Sequence, residues 1–354
     1  MMKLDDIYIR ETLDQVALEE SIYRSVMWQS GAVETDAKLV ELVGANDGRL
    51  FQSRYWKDID QPDDDPNPAT GAGPIYPDDS DNLIPTFGIK NGLFQAHKNG
   101  PTMAWGEKDI VRRLGFLDDP LGVISDRVAV YWGKYFDMYA VNQVNGVLAD
   151  NIANDGGDMV NDISDDTVAP DAVNSISPEA IIDTMFTAGD TADDFAVMIV
   201  HSKVMAQLRK QNLIDTIPSS DGKTMFQFYQ NLRVLVSDNV PVDTSGAFDV
   251  ATTYIVGPGV IGYGQNLSGI VPSELWRDPR IALGAGETQL ITRQQFSMHV
   301  WGTSYLDAVC SGSTAQTSGD NIYPNLADQA NALNWDRIVT DRKQIRIAAL
   351  YSNV

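Results

Sequence analysis

The sequence predicts an α+β fold, and three observations carry that prediction. From Asp119 to Ile152 apolar residues recur every third or fourth position, which is the pattern of one face of a long helix. Between Phe195 and Gly264 apolar runs of strand length alternate with a short helical stretch. From Gly48 to about Pro101 the chain is so rich in Pro, Gly and Asp that it is expected to project from the body rather than form core.

Taken in order, residues 1–44 read as a helical arm. Ile7, Leu13, Val16, Leu18, Ile22 and Val26 are spaced among acidic residues, too sparsely for a core of their own. The aromatic residues Phe51, Tyr55 and Trp56 then lead into the tract Asp58 to Pro68, and Leu83 to His97 is expected to pair back as a returning strand. Asp119 before Pro120 starts the long helix and Asn154 to Gly157 stops it. Its expected face is Ile124, Val128, Tyr131, Tyr135, Met138, Val141, Val144, Leu148 and Ile152. About 30 residues at ~1.5 Å each span ~45 Å. Gly133 and Gly146 weaken the helix by roughly 1 kcal/mol each, which permits a bend.

After an acidic linker, Ser177 caps a second helix that begins at Pro178 and presents Ile181, Ile182, Met185 and Phe186. Phe195 to Val200 reads as a buried strand, and Ser202 as the cap of a helix over Lys203 to Gln211. A turn at Gly222, the segment Leu232 to Ser237, an exit at Asn239 to Val242 and a hairpin from Thr252 to Gly264 follow. Further strands are expected at Ile281 to Leu283, Gln289 to Thr292, Gln295 to Trp301 and Ile345 to Leu350, with a helix-like turn over Leu326 to Leu333. The sequence has no internal repeat.

Composition narrows the function. With 354 residues, 43% hydrophobic and 9% aromatic, the chain can bury one large or two ordinary domains. The longest apolar runs have strand length, well short of the ~18 residues of a membrane helix, so no membrane partner is expected. Charge at Met1 to Asp6 stands where a signal peptide needs apolar residues, which points to a cytoplasmic product. One cysteine, Cys310, excludes an internal disulfide, and the three histidines, His97, His201 and His299, lack zinc spacing. Cys310 is expected to be a small, semi-buried residue.

The net charge of −23 argues against a surface that grips nucleic acid. That charge is uneven: no Lys or Arg lies between Lys57 and Lys90, Lys134 and Lys203, or Arg233 and Arg277, and the second gap holds thirteen Asp or Glu. Basic residues cluster instead at Arg112, Arg113, Arg209, Lys210, Arg337, Arg342, Lys343 and Arg346. Either the acidic stretches are solvated faces, or acidic and basic tracts meet across subunits.

Candidate chemistry is thin. Gly257-Pro-Gly-Val-Ile-Gly262 has the spacing of a dinucleotide loop and follows a strand, but the sequence after it reads as strand or loop where a helix must begin. A Gly-Pro-Gly turn in a hairpin is the preferred reading. The clusters Asp60, Asp63, Asp64, Asp65 and Asn154, Asp155, Asp158 lack the ligand spacing of a calcium loop. No Gly-X-Ser-X-Gly elbow is present, and His201 reads as a capping or packing residue. No catalytic, cofactor-binding or metal-ligating residues are expected.

The order of arm, projecting loop, long helix, the block Phe195 to Gly264 and a late return to strands resembles the tailed-phage major capsid proteins of the HK97 fold. That resemblance implies an N-terminal arm at 1–44, an extended E-loop at 45–105, a peripheral domain at 106–170 with a spine helix over about 119–152, and an axial domain with return strands at 171–305. Residues 306–354 would form a C-terminal segment of the peripheral domain. It implies a structural, non-enzymatic protein that self-assembles in the host cytoplasm, through hexamers and pentamers, into the icosahedral capsid of the virion around double-stranded DNA. A separate scaffolding protein, a portal and a decoration protein are the other implied partners, with packaged DNA contacted weakly. Inter-subunit roles fall on Phe51, Tyr55, Trp56, Lys90, Lys98, Arg112 and Arg113. Some shells of the family weld a loop lysine to a neighbour's asparagine; Lys90 and Lys98 are expected to be ordinary surface charges. The alternatives are an encapsulin-like compartment, which shares the fold and encloses an enzyme, and a nicotinamide-dependent enzyme using the Gly257–Gly262 loop.

Overall fold

The computed structural model describes residues 26–44, 48–57, 89, 91–108, 120–171, 173–211, 214–218, 225–281, 286–311, 323–339 and 341–354. Its centre is an eight-stranded sheet assembled from the most aliphatic segments of the chain. In spatial order the strands are β5 (Val160–Asp162), β18 (Ile347–Asn353), β11 (Val250–Val256), β6 (Val197–Val200), β9 (Leu232–Val236), β8 (Met225–Tyr229) and β7 (Asp215–Pro218), and β10 (Val242–Asp243) also pairs with β11. The pairs β5–β18 and β6–β9 are parallel.

Both faces of the central strands β18, β11 and β6 are covered, so these strands are largely apolar and alternate residues enter two different cores. Val197, Ile199, Tyr254, Val256, Ile347 and Ala349 point to one side, where the helix α3 (Pro120–Asn154) lies. Met198, Val200, Ala251, Ile255, Ala348 and Leu350 point to the other, under the helices α4 (Pro178–Phe186) and α5 (Ser202–Lys210). Ser177 caps α4 as expected, its hydroxyl accepting from the Ala180 amide at 3.2 Å. The cap of α5 is His201 rather than Ser202, with Nδ1 accepting from the Lys203 amide at 3.2 Å.

Helix α3 runs for 35 residues, about 52 Å, and remains one element through Gly133 and Gly146. Its buried face overlaps the row expected from spacing only in part: Val128, Val141, Val144 and Leu148 are buried and Ile124 and Tyr135 pack against the core, but Tyr131, Met138 and Ile152 are exposed, and Trp132, Phe136, Tyr139 and Gln143 are buried in addition. The helix is apolar nearly all round and packs against several elements, so period alone did not select the face. Gly146 marks a close crossing. A Cβ there would stand 2.1 Å from the Gln329 carbonyl oxygen and 2.4 Å from Trp335 Nε1.

Residues 26–44 are only partly helical. Between α1 (Val26–Ser30) and α2 (Ala37–Gly44), β1 (Val33–Thr35) pairs in parallel with β12 (Ile261–Gln265), whose other neighbour is β15 (Phe296–Val300). Met27, Val33, Leu39 and Val43 are buried, and Asp137 of α3 accepts from the Met27 amide at 2.9 Å and from Asn239 Nδ2 at 2.8 Å. The arm residues 1–25 lie outside the described residues.

The Thr252–Gly264 hairpin does not form. β11 belongs to the large sheet and β12 to the β1–β12–β15 sheet, and the Gly257–Gly262 segment crosses between them. Of the other expected strands, β14 (Glu287–Arg293) sits between β13 (Ser273–Asp278) and β4 (Thr102–Lys108), and β15 and β18 fall where expected. Ile281 is not in a strand, and 282–283 lie outside the described residues. Near the C-terminus, β16 (Thr303–Tyr305) pairs with β17 (Trp335–Arg337), and α6 (Leu326–Gln329) is a single turn capped by Asn325.

Candidate assembly surfaces

The segment returning to His97 forms β3 (Asn91–His97), which pairs with β2 (Leu50–Trp56) in an antiparallel ribbon from Leu50 opposite His97 to Trp56 opposite Asn91. Strand period divides β2 between two faces. Phe51, Ser53 and Tyr55 are half-buried or buried, whereas Gln52, Arg54 and Trp56 are exposed. The three expected aromatic anchors are therefore split. Tyr55 is tied to its own subunit, its hydroxyl donating to the Ile338 carbonyl at 3.3 Å, and its ring crosses Gly92 so closely that a Cβ there would lie 2.4 Å away. Trp56, 75% exposed, points outward on the same face as Leu93, 54% exposed.

The other end of the ribbon is fastened by polar bonds in a buried setting. The Gln95 amide donates to Ser304 Oγ at 3.0 Å and its side chain to the Tyr305 carbonyl at 3.0 Å. The Lys98 amide donates to the Arg49 carbonyl at 2.7 Å, and the Arg49 guanidinium pairs with Asp307 and donates to Cys310 Sγ at 3.3 Å. His97 is fully buried between the Tyr139 hydroxyl and the Gln329 amide, with its ring centroid 4.1 Å from that of Tyr305. Burial, with smaller contributions from His299 and Arg49, holds its pKa down to about 3. His299 is also buried; it stacks on Phe94 at 5.4 Å and donates through Nε2 to the Thr303 carbonyl at 2.9 Å, and burial lowers its pKa to about 4. Trp335 closes the knot, donating to the Gln329 carbonyl at 2.7 Å.

Lys98 corrects the expectation of a surface charge. It is 7% exposed, because the chain leaving β3 passes inward between Arg49 and Phe296 instead of following the projecting segment. Lys90, Arg112 and Arg113 lie outside the described residues, as does the whole segment 58–88 with its acidic cluster at 60–65. His97, Tyr139, Gln329 and Trp335, which do the fastening, carried no signal in the sequence: they belong to distant segments and follow no shared period.

The Gly257–Gly262 segment has no free helix terminus to offer an anion. The Gly257 amide donates to the Arg346 carbonyl, Gly259 to Gly31 and Ile261 to Ala32, each at 2.9 Å, and a strand follows. That geometry removes the support for a nicotinamide site.

No protein-family model matches the sequence. It is 29% identical over 347 residues to the major capsid protein of Bacillus phage SPP1, covering 98% of this chain and 96% of that protein. The capsid of Ralstonia phage GP4 superposes with a TM-score of 0.52 at 9% identity, over 77% of this chain and 84% of that one. That of Microbacterium phage Oxtober96 gives 0.47 at 11% identity, over 78% and 84%. Over nearly its whole length the chain is similar to a phage major capsid protein, and it has the HK97 capsid fold.

Within this capsid fold, the C-terminal basic cluster is spent inside the subunit. Both Asp158 oxygens accept from Arg337, at 2.9 and 3.0 Å, and Lys343 and Arg346 pair with Asp190 and Asp194 at 2.9 and 3.2 Å. Arg342 is 8% exposed and donates to the Ile347 carbonyl at 2.7 Å and to Thr187 Oγ1 at 3.2 Å; burial lowers its pKa to about 10. For Arg337, Lys343 and Arg346 the meeting of acidic and basic tracts is intramolecular. Cys310 is half-buried as expected.

Proposed function

We propose that this chain is the structural subunit of a closed icosahedral shell around a double-stranded DNA phage genome, built from hexamers and pentamers and located in the virion capsid after assembly in the host cytoplasm. The observation that carries this reading is the end-to-end relationship with the SPP1 major capsid protein. In it, residues 45–105 act as the E-loop, with the outward side of the β2–β3 ribbon and Trp56 reaching a neighbouring subunit. Helix α3 is the spine of the peripheral domain at 106–170, residues 171–305 form the axial domain, and 306–354 return to the periphery. The net charge of −23 suits a container that releases its DNA, since phosphate is repelled by most of the chain. A scaffolding protein and a portal complete the assembly set, and a decoration protein is a further candidate partner.

Negative-stain electron microscopy of the purified chain tests the reading. Polyhedral particles, tubes or capsomer rings are expected. A uniform monomer, both alone and when produced together with a scaffolding protein, would overturn it. Nucleic acid inside particles formed in infected cells supports the phage capsid; an enclosed enzyme in its place would make the shell an encapsulin-like compartment.

A further inference from the structure

Helices α4 and α5 cover the same face of the large sheet, and their outward stripes differ in character. Along α4 the exposed residues are Glu179, Ile182, Asp183 and Phe186; along α5 they are Ser202, Lys203, Ala206, Arg209 and Lys210. Ile182 is 40% and Phe186 63% exposed, an apolar ridge bordered by carboxylates. Among the described residues, Glu179, Asp183, Arg209 and Lys210 have no ion pair within the chain, in contrast to Lys203, which pairs with Asp249, and to the basic residues of the C-terminal cluster.

We infer that these two stripes are the halves of one head-to-tail contact, the α4 stripe of one copy of this chain seated on the α5 stripe of the next. The inference rests on the shell reading, which supplies many copies in fixed rotation. The occupant is a second copy because complementarity lies within the chain: an acidic and apolar stripe on one helix, a basic stripe with a small central residue on the other. A like-on-like contact of either helix with itself would set carboxylate against carboxylate or cation against cation. Residues three or four apart stand ~5–6 Å apart on a helix surface. With the helices antiparallel and Phe186 over the small side chain of Ala206, one turn brings Asp183 of one copy to Arg209 and Lys210 of the other. A heterologous contact of this kind closes into a ring when the rotation it imposes between copies closes, which the shell reading requires.

The test uses the full chain carrying Cys310→Ser, with Phe186→Cys in one preparation and Ala206→Cys in another. Mixed and assembled, then oxidised mildly, they should yield a disulfide-linked dimer that neither preparation gives alone. Charge reversal gives an independent readout: Asp183→Arg, or Arg209→Glu with Lys210→Glu, should each lower particle yield at least tenfold at low salt with an unchanged thermal melt, and the combined reversal should restore it. Normal yield from the single reversals, or particles without the mixed cross-link, would overturn the contact while the shell reading stands. Loss of DNA retention with normal assembly would likewise overturn it, making Arg209 and Lys210 a nucleic-acid contact. A wild-type chain that forms no particles, with or without scaffold, overturns the shell reading itself.

Discussion

At its Leu50–His97 end the β2–β3 ribbon is locked by buried hydrogen bonds and stacked rings; at its Trp56–Asn91 end the same two strands hold only Tyr55 against the body and turn Trp56 and Leu93 outward. The backbone ladder is continuous between them, so the difference lies in side chains alone. One end contributes to the stability of the subunit; the other, in the shell reading proposed above, would meet a neighbouring subunit. A projecting element needs both, because a loop that reaches a neighbour transmits load only when its root does not unfold first.

Replacing Trp335 by alanine should break the root hardest. It removes a fully buried ring from above Gly146 and leaves the Gln329 carbonyl without its donor, so a loss of about 3–5 kcal/mol is expected by urea denaturation. An unchanged midpoint would show that the knot does not hold the fold.

Acid should act next, through the two buried imidazoles. Unfolded, each takes up a proton near pH 6.5; folded, burial holds His97 to about 3 and His299 to about 4. The folded state therefore favours the neutral rings, and their contribution is complete above pH 6.5 and lost as pH falls from 6.5 toward 4, by ~1.4 kcal/mol per pH unit for each ring. Around His97, His299 and Arg49 both disfavour a charge on its ring, which lies against the Tyr139 hydroxyl and the Tyr305 ring, while at His299 only the bond to the Thr303 carbonyl favours one. Melting temperature measured against pH should show this slope, and His97→Gln should reduce it; a flat profile would mean the rings are hydrated.

Trp56→Ser sharpens the comparison from the other side. Its effect on subunit stability should stay within ~0.5 kcal/mol, because the ring is exposed, while the yield of closed particles falls. Equal loss in both would place Trp56 in the root's role.

Much of the architecture was legible in the sequence because it rests on period and caps. The length of α3, the Ser177 cap with Pro178, the β6 run and the return strand to His97 are local properties. Legibility failed where distant segments choose. The nine-residue face read for α3 held at Val128, Val141, Val144 and Leu148 but included the exposed Tyr131, Met138 and Ile152 and missed Trp132, Phe136 and Tyr139, which distant segments bury. The Gly257–Gly262 turn was read as a hairpin because two strands flank it, and only the pairing of β11 with β18 and of β12 with β1 separates them. Of the expected inter-subunit residues, Phe51 and Tyr55 face the body and Lys98 is buried, since sequence spacing does not say where a strand ends and enters the core.

Strand β18 sits between β5 and β11, with more than half the chain separating Val160 from its partner Ala349. During translation, at ~5–20 residues per second, β5, β6 and β11 emerge long before the strand that joins β5 to β11. The nascent subunit thus carries an open sheet until β18 has left the ribosome, which delays any contact that needs the finished sheet. A ribosome stalled before Ile347 leaves β5 without its neighbour and β11 as an open edge.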